Sequence, residues 1–383
     1  MTVDGLVTPG FERVAERFAD FAEQQADGGL AISVMVDGEF ALDLTAGTSR
    51  PGVPWTPDTL AMVFSCTKGV TALLVTHFVE AGVLSPDEPV VKWWPEFAAI
   101  SSTLTVRELL EHKAGLPAVR RDMTLDEVLD HDALIAELLR QGPLWEPGTG
   151  YVYHAFTFGT LADELLRRAT GSSVKELFQA LIARPLGIDA WIGLPHEQEA
   201  RVADIIPVGS FVEPPAEPGS WQDFNGRAMS FGTALPMPEA LGEHTGFNSA
   251  KVREASLPGV NLITSARGLA QIWSAVVTPT NGVRLLTDET VRWMSQPTVT
   301  GAPLWGSEAP HIHRGFGVML ENPAITPLMS PASLGHDGFG GQAGFADPTH
   351  RASFAFVTNS FIPGMEQHKR WHQLIVDVRD ALG

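Results

Sequence analysis

Met62-Val-Phe-Ser65-Cys-Thr-Lys68-Gly-Val-Thr-Ala-Leu-Leu-Val-Thr-His-Phe-Val-Glu-Ala-Gly82 carries a serine, a lysine three residues on, and then a run almost free of charge. That run predicts a buried helix ending at Gly82, a residue suited to the left-handed turn after a helix. Ser65 falls at the helix N-terminus. Residues three apart share a helix face, so the Ser65 hydroxyl and the Lys68 amine meet. Free backbone N–H groups and the positive dipole end favour negative charge developing there. Burial among apolar neighbours lowers a lysine pKa toward the range where it accepts a proton. Ser65 is thus a candidate nucleophile and Lys68 its candidate base. The plainer alternative, a capping serine beside a surface lysine, sits badly with an uncharged helix. No glycine-rich run precedes Thr67-Lys68-Gly69, so it is not a phosphate loop.

Outward from this stretch, Leu30–Val36 and Glu39–Leu44 are β-rich runs joined by Asp37-Gly38, a strong hairpin signal. Arg351–Thr358 reads as a strand, and Gln367–Leu382 as a helix with Trp371, Leu374, Ile375 and Val378 at helical spacing. Phe11, Val14, Phe18 and Phe21 place another amphipathic helix near the start. Strands at both ends with helices outside them predict one sheet built from the two ends of the chain. Between Lys68 and Leu186 the periodicity is helical, in segments such as Val106–His112, Leu125–Gln141 and Phe158–Thr170. Residues 206–260 are dense in Pro, Gly and Ser and read as a long loop, either a wall over a pocket or a surface excursion.

The chain has 383 residues, a formal net charge of -19 and one cysteine, Cys66. The acidity argues against nucleic acid and anionic membranes as partners. Cys66 forms no intramolecular disulfide and reads as a small buried thiol. The N-terminal stretch shows no apolar leader after a basic start, and no run spans a bilayer, so the expected location is cytoplasmic. His311-Ile-His313 has alternate spacing, but no third ligand clusters nearby in the sequence. Gly-x-Ser-x-Gly is absent, which removes the α/β-hydrolase elbow.

The protein has two tyrosines among 20 Phe and 10 Trp, and both lie in Pro147-Gly-Thr-Gly-Tyr151-Val-Tyr153-His-Ala155. Aromatic packing is handled by other residues, so the pair hints at phenol chemistry; simple packing is the alternative. Ser65-x-x-Lys68, Pro147-Gly-Thr-x-x-x-Tyr153 and Leu334-Gly-His336-Asp-Gly338-Phe-Gly-Gly follow one another in order. Together they resemble the serine β-lactamase and penicillin-binding superfamily, in its class C-like branch, which includes the family VIII carboxylesterases. Leu109-Leu-Glu-His-Lys-Ala-Gly-Leu116 and Gly344-Phe-Ala-Asp-Pro348 support the resemblance over nearly the whole chain.

The resemblance implies a mixed α/β fold. Residues 1–64 and 255–383 would form an antiparallel sheet flanked by helices, residues 65–254 a mainly helical domain, and the site would lie between them. It implies that Ser65 attacks a carbonyl, that Lys68 and Tyr153 form its base, and that the Ser65 and Phe339 N–H groups hold the oxyanion. Tyr151, Ala155, His336 and Gly338 would border the substrate. No metal or organic cofactor is implied.

Two departures narrow the activity. The family's Tyr-x-Asn reads Tyr153-His-Ala155 here, and alanine offers no hydrogen bond. Its Lys-Thr-Gly reads His336-Asp-Gly338, and an imidazole is mostly neutral at pH 7. Groups that recognise a β-lactam are lost or weakened while the nucleophile and base remain. The expectation is a carboxylesterase acting on small to medium esters. A β-lactamase, amidase, D-amino-acid peptidase or acyltransferase uses the same machinery, and a slowly deacylating penicillin-binding sensor is the reading from another class.

Overall fold

Asp37 and Gly38 both take positive φ, 52° and 87°, as a two-residue hairpin turn requires. They connect two strands of a large antiparallel sheet in the computed structural model, which describes all residues except 26, 212–215, 307 and 365. Its strands include β1 (Val3–Val7), β2 (Gly29–Val36), β3 (Glu39–Arg50), β4 (His313–Arg314), β5 (Met319–Leu320), β6 (Leu334–Gly338), β7 (Gln342–Asp347) and β8 (Ala352–Thr358). They run in the order β1-β3-β2-β8-β7-β6-β5-β4. The junction of the two chain ends is β2 against β8, with Ile32 opposite Phe356 and Val34 opposite Phe354. The expected sheet is present. Strand β1 is an addition: its residues are nearly all exposed, so no alternation marks it, and it is held by pairing with β3.

The longer helices are α1 (Glu12–Gln24), α2 (Cys66–Glu80), α3 (Thr157–Thr170), α4 (Ala266–Val277) and α5 (Glu366–Leu382). Strand β8 explains how they pack. All seven of its residues are buried, so helices cover both faces of the sheet there. Phe354 and Phe356 join Val14 and Phe18 of α1 and Trp371, Leu374 and Ile375 of α5 in one core. On the other face the residues are small. Ser353 donates to the Ala270 carbonyl at 2.8 Å, which brings α4 close to the strand.

The expected helix over 125–141 is two helices, Leu125–Leu129 and His131–Gln141. Asp130 breaks it: its backbone is extended, and its carboxylate accepts from the Ala133 N–H to cap the second helix. Apolar spacing runs across the break, so periodicity conceals it, while the aspartate is the ordinary N-cap signal. The expected loop at 206–260 also contains helix, at Trp221–Met229 and Ala250–Glu254, with single helical turns between them. Pieces this short carry no readable period. Arg253 fastens them. Its buried guanidinium meets Glu199 at 2.5 Å, Asp204 at 3.1 Å and the Phe247 carbonyl at 3.2 Å.

Helix α2 is buried through its first eleven residues and is clamped from two sides. A side chain at Gly69 would lie 2.7 Å from the Trp273 ring, so glycine lets α4 close on it. From the other side, Thr71 donates to the Pro258 carbonyl at 2.5 Å. Residues 258–259 are pressed in turn against Gly159 of α3, where a Cβ would sit 2.0 Å from the Gly259 nitrogen. Backbone is what it meets, so the clash has no flexible relief. Gly159→Ala is expected to destabilise the protein by about 1–3 kcal/mol, read as a lower midpoint in thermal or urea unfolding. An unchanged midpoint would contradict this packing.

Candidate active site

The turn that presents Ser65 is strained. Phe64 has φ 45°, a left-handed conformation that costs a bulky residue roughly 1–3 kcal/mol. Its ring is gripped edge-on by Phe247, Phe361 and Phe339, with centroids 4.9, 5.2 and 5.6 Å away. The Thr67 hydroxyl donates to the Phe64 carbonyl at 2.5 Å and accepts from the Leu262 N–H at 2.9 Å. Gly338 brings β6 against the same turn, since a Cβ there would meet the Val63 carbonyl at 2.3 Å. The serine is therefore held by neighbours on both sides.

Lys68 is fully buried. Its Nζ donates to the Gly259 carbonyl at 2.7 Å and lies 3.0 Å from Ser65 Oγ. No carboxylate among the described residues forms an ion pair with it, and burial, aided by the Arg314 cation, holds its pKa well below the usual lysine value. A buried amine with a lowered pKa, facing a serine hydroxyl, is suited to accept its proton.

Tyr153 completes the group. Burial holds its phenol pKa above the ordinary value, with the neighbouring Ser65 hydroxyl acting in the opposite sense. Lys68 Nζ lies 4.9 Å from its ring centroid. Two histidines fix the segment around it. The His154 Nδ1–H donates to the Val152 carbonyl at 2.6 Å, and Nε2 accepts from the Leu116 N–H at 3.1 Å. His112 Nδ1 accepts from the His154 N–H at 3.1 Å. Burial depresses both imidazoles, His154 to about 4, so they serve as neutral struts.

Ser65 opens on a cavity of about 310 Å³ lined by Phe64, Ala155, Phe156, Phe211, Phe247, Val260, Phe339 and two methionines, Met229 and Met237. Among the described residues, no charged side chain lines it. Among the described residues, neither the Ser65 nor the Phe339 backbone N–H donates to another protein group. Both stay available at the cavity edge.

A beta-lactamase family model matches residues 14–378. The chain belongs to the beta-lactamase family. It is 31% identical over 369 residues to the esterase/beta-lactamase LipL of Mycobacterium tuberculosis, covering 94% of this chain and 83% of that one. A penicillin-binding protein homologue from Caulobacter crescentus superposes with a TM-score of 0.87 at 30% identity, covering 100% of both chains. A family VIII carboxylesterase gives 0.83 at 28% identity, covering 98% of this chain and 99% of that one.

Within this beta-lactamase-family site, Ser65, Lys68 and Tyr153 come together, and Ala155 and Phe339 line the cavity. Tyr151 does not line it. Its hydroxyl donates to the Gly301 carbonyl at 2.7 Å, and its carbonyl accepts from the Leu304 N–H, so it anchors the 301–304 loop. His336 is also off the cavity wall. It lies between α2 and Tyr153, with Nδ1 donating to the Asp337 carbonyl at 2.7 Å, and burial keeps it neutral. Gly338 has its close approach to Val63 as its role. Within the 206–260 stretch, Phe247 reaches the cavity, Phe231 backs Phe156 at 4.3 Å, Phe224 stacks on Trp305, and Trp221 is exposed. His313 Nδ1 meets the Glu321 carbonyl.

Sequence reading does not reveal Gly259 or Arg314. The first acts through a backbone carbonyl, which carries no side-chain signal. The second is an isolated arginine more than two hundred residues from Lys68.

Cys66, next to the serine, donates its thiol hydrogen to the His336 carbonyl at 3.2 Å and is fully buried; burial pushes its pKa well up. It is expected to resist iodoacetamide in the native protein and to react on unfolding. Fast native alkylation, followed by mass, would contradict this placement.

Proposed function

We propose that the protein is a carboxylesterase that forms an acyl-enzyme on Ser65, with Lys68 and Tyr153 as its proton-transfer pair. The observation that carries this reading is the buried Lys68 amine, 3.0 Å from Ser65 Oγ, at the mouth of a cavity whose described lining is apolar and without charge. An ester needs an activated serine, an oxyanion site and apolar room for its acyl or alcohol part. It does not need an ion-pair partner in that room. Relatives named as esterases support the same reading.

In the reaction, the Ser65 proton passes to the Lys68–Tyr153 pair as Oγ attacks the ester carbonyl. The oxyanion is held by the Ser65 and Phe339 N–H groups. Collapse of the tetrahedral intermediate breaks the carbonyl–alkoxy bond, and the pair returns the proton to the leaving alcohol. Water then attacks the acyl carbon as the same pair takes its proton; the acyl–Oγ bond breaks, the pair returns that proton to Ser65 Oγ, and the carboxylic acid leaves. Each step balances within the protein, substrate and water.

Steady-state assays with p-nitrophenyl acetate and butyrate, beside a chromogenic cephalosporin, test this. Multiple ester turnovers are expected, with cephalosporin hydrolysis slower or absent. Ser65→Ala is expected to abolish turnover, and Lys68→Ala and Tyr153→Phe each to cost about 10²–10⁴ in kcat. Undiminished turnover by Ser65→Ala would sink the mechanism, and a cephalosporin preferred over both esters would move the activity to β-lactams.

Lys68 also sets a pH dependence. Its pKa is depressed, so the amine is protonated and inactive only below that lowered value. kcat/KM should rise with pH along a single acidic limb and reach its plateau below the ordinary lysine pKa. A rate still climbing at pH 10 would show Lys68 to be an ordinary charged lysine.

A further inference from the structure

Arg314, on the short strand β4, is 8% exposed. Its backbone pairs with Val299 and with Met319 of β5. Among the described residues its guanidinium makes neither an ion pair nor a hydrogen bond. A buried cation without a counter-ion is costly to keep unless something nearby repays it. What lies nearby is the Tyr153 ring, whose centroid is 5.1 Å from Cζ. Lys68 Nζ is 4.9 Å from the same ring. A phenol ring attracts a cation through its π face, and a phenolate, which spreads its charge into the ring, attracts it far more.

We propose that Arg314 is a positioning residue for proton transfer, acting through Tyr153 by holding the negative charge its ring carries while Ser65 is deprotonated. The inference rests on the acyl-enzyme reading of Ser65. The step forms no bond to Arg314: the serine proton goes to the Lys68–Tyr153 pair and Arg314 keeps all of its own. Because Lys68 works as the neutral amine, it supplies no fixed positive charge, and Arg314 is the permanent cation at the ring.

Other groups facing the ring do not take its place. His112, His154 and His336 are held neutral by burial, with Arg314 itself depressing His112 and His336. Asp337 acts in the opposite sense on Tyr153 and Lys68, but its carboxylate is engaged by His368 at 3.3 Å. Cys66 stays a neutral thiol. Tyr151 has its hydroxyl committed to Gly301. Arg314 favours both the phenolate of Tyr153 and the neutral amine of Lys68. Its loss makes the transient phenolate of Tyr153 harder to form, and it moves Lys68 toward its protonated, inactive form and the acidic limb toward higher pH.

The test is the pH dependence of Ser65 labelling by a fluorophosphonate, which reports serine activation without depending on the ester chosen. It is run with p-nitrophenyl butyrate kinetics on wild type, Arg314→Met, Arg314→Gln and Arg314→Lys, each checked for folding by circular dichroism. Arg314→Met and Arg314→Gln should move the acidic limb of both profiles up by about one pH unit or more. They should lower kcat with little change in KM. Arg314→Lys, which keeps the charge, should restore the wild-type limb while a purely structural role would leave it as impaired as the others. If Arg314→Met does not fold, the Gln and Lys variants carry the comparison. Unmoved limbs in folded charge-removing variants, or a loss confined to KM, would overturn the inference and leave the acyl-enzyme reading standing. A wild-type protein that is not labelled at Ser65 at all would overturn both.

Discussion

Lys68 lies inside an apolar helix, where no carboxylate among the described residues pairs with it, and the surroundings that make this tolerable also make the site. A charged ammonium in that position would be poorly solvated, so burial holds the amine's pKa well below the usual lysine value. Its polar needs are met by the Gly259 carbonyl and the Ser65 hydroxyl. Everything that keeps water from Lys68 also fixes its distance to the serine. Glycines at 69, 159 and 338 let α4, α3 and β6 approach closely enough to do so.

The same economy appears around Ser65. The left-handed backbone at Phe64 is unfavourable on its own, and three aromatic rings and the Thr67 hydroxyl hold it. Those rings belong to three separated parts of the chain: Phe247 in the 206–260 stretch, Phe339 after β6 and Phe361 after β8. Two of them, with Phe64 itself, also wall the cavity. The apolar lining that would receive an ester is thus the packing that holds the nucleophile in place. This packing puts the apolar cavity directly beside Ser65, Lys68 and Tyr153.

Much of this was legible in the chain. The Asp37-Gly38 turn, the Trp371 helix and the uncharged helix after Lys68 each carry a local periodic or turn signal, and each stands in the structure. Strand β1 carries none, because an exposed edge strand has no buried face to pattern. Asp130 was hidden by apolar spacing that continues through the break it makes. The roles of Tyr151 and His336 depend on where their polar atoms point, and no spacing rule reports that. Gly259 and Arg314 meet the site only through tertiary folding. Sequence separation of that size leaves no local trace, so the electrostatics of the site were less readable than its nucleophile.

The central claim is that Ser65 is the atom acylated. The most direct measurement is to quench the protein in acid during turnover of p-nitrophenyl butyrate and map the adduct by peptide mass spectrometry. The account predicts one butyryl group on the peptide containing Ser65, absent from the Ser65→Ala protein. A butyryl group on any other residue, or continued turnover without an adduct in a Lys68→Ala protein slowed at deacylation, would contradict it.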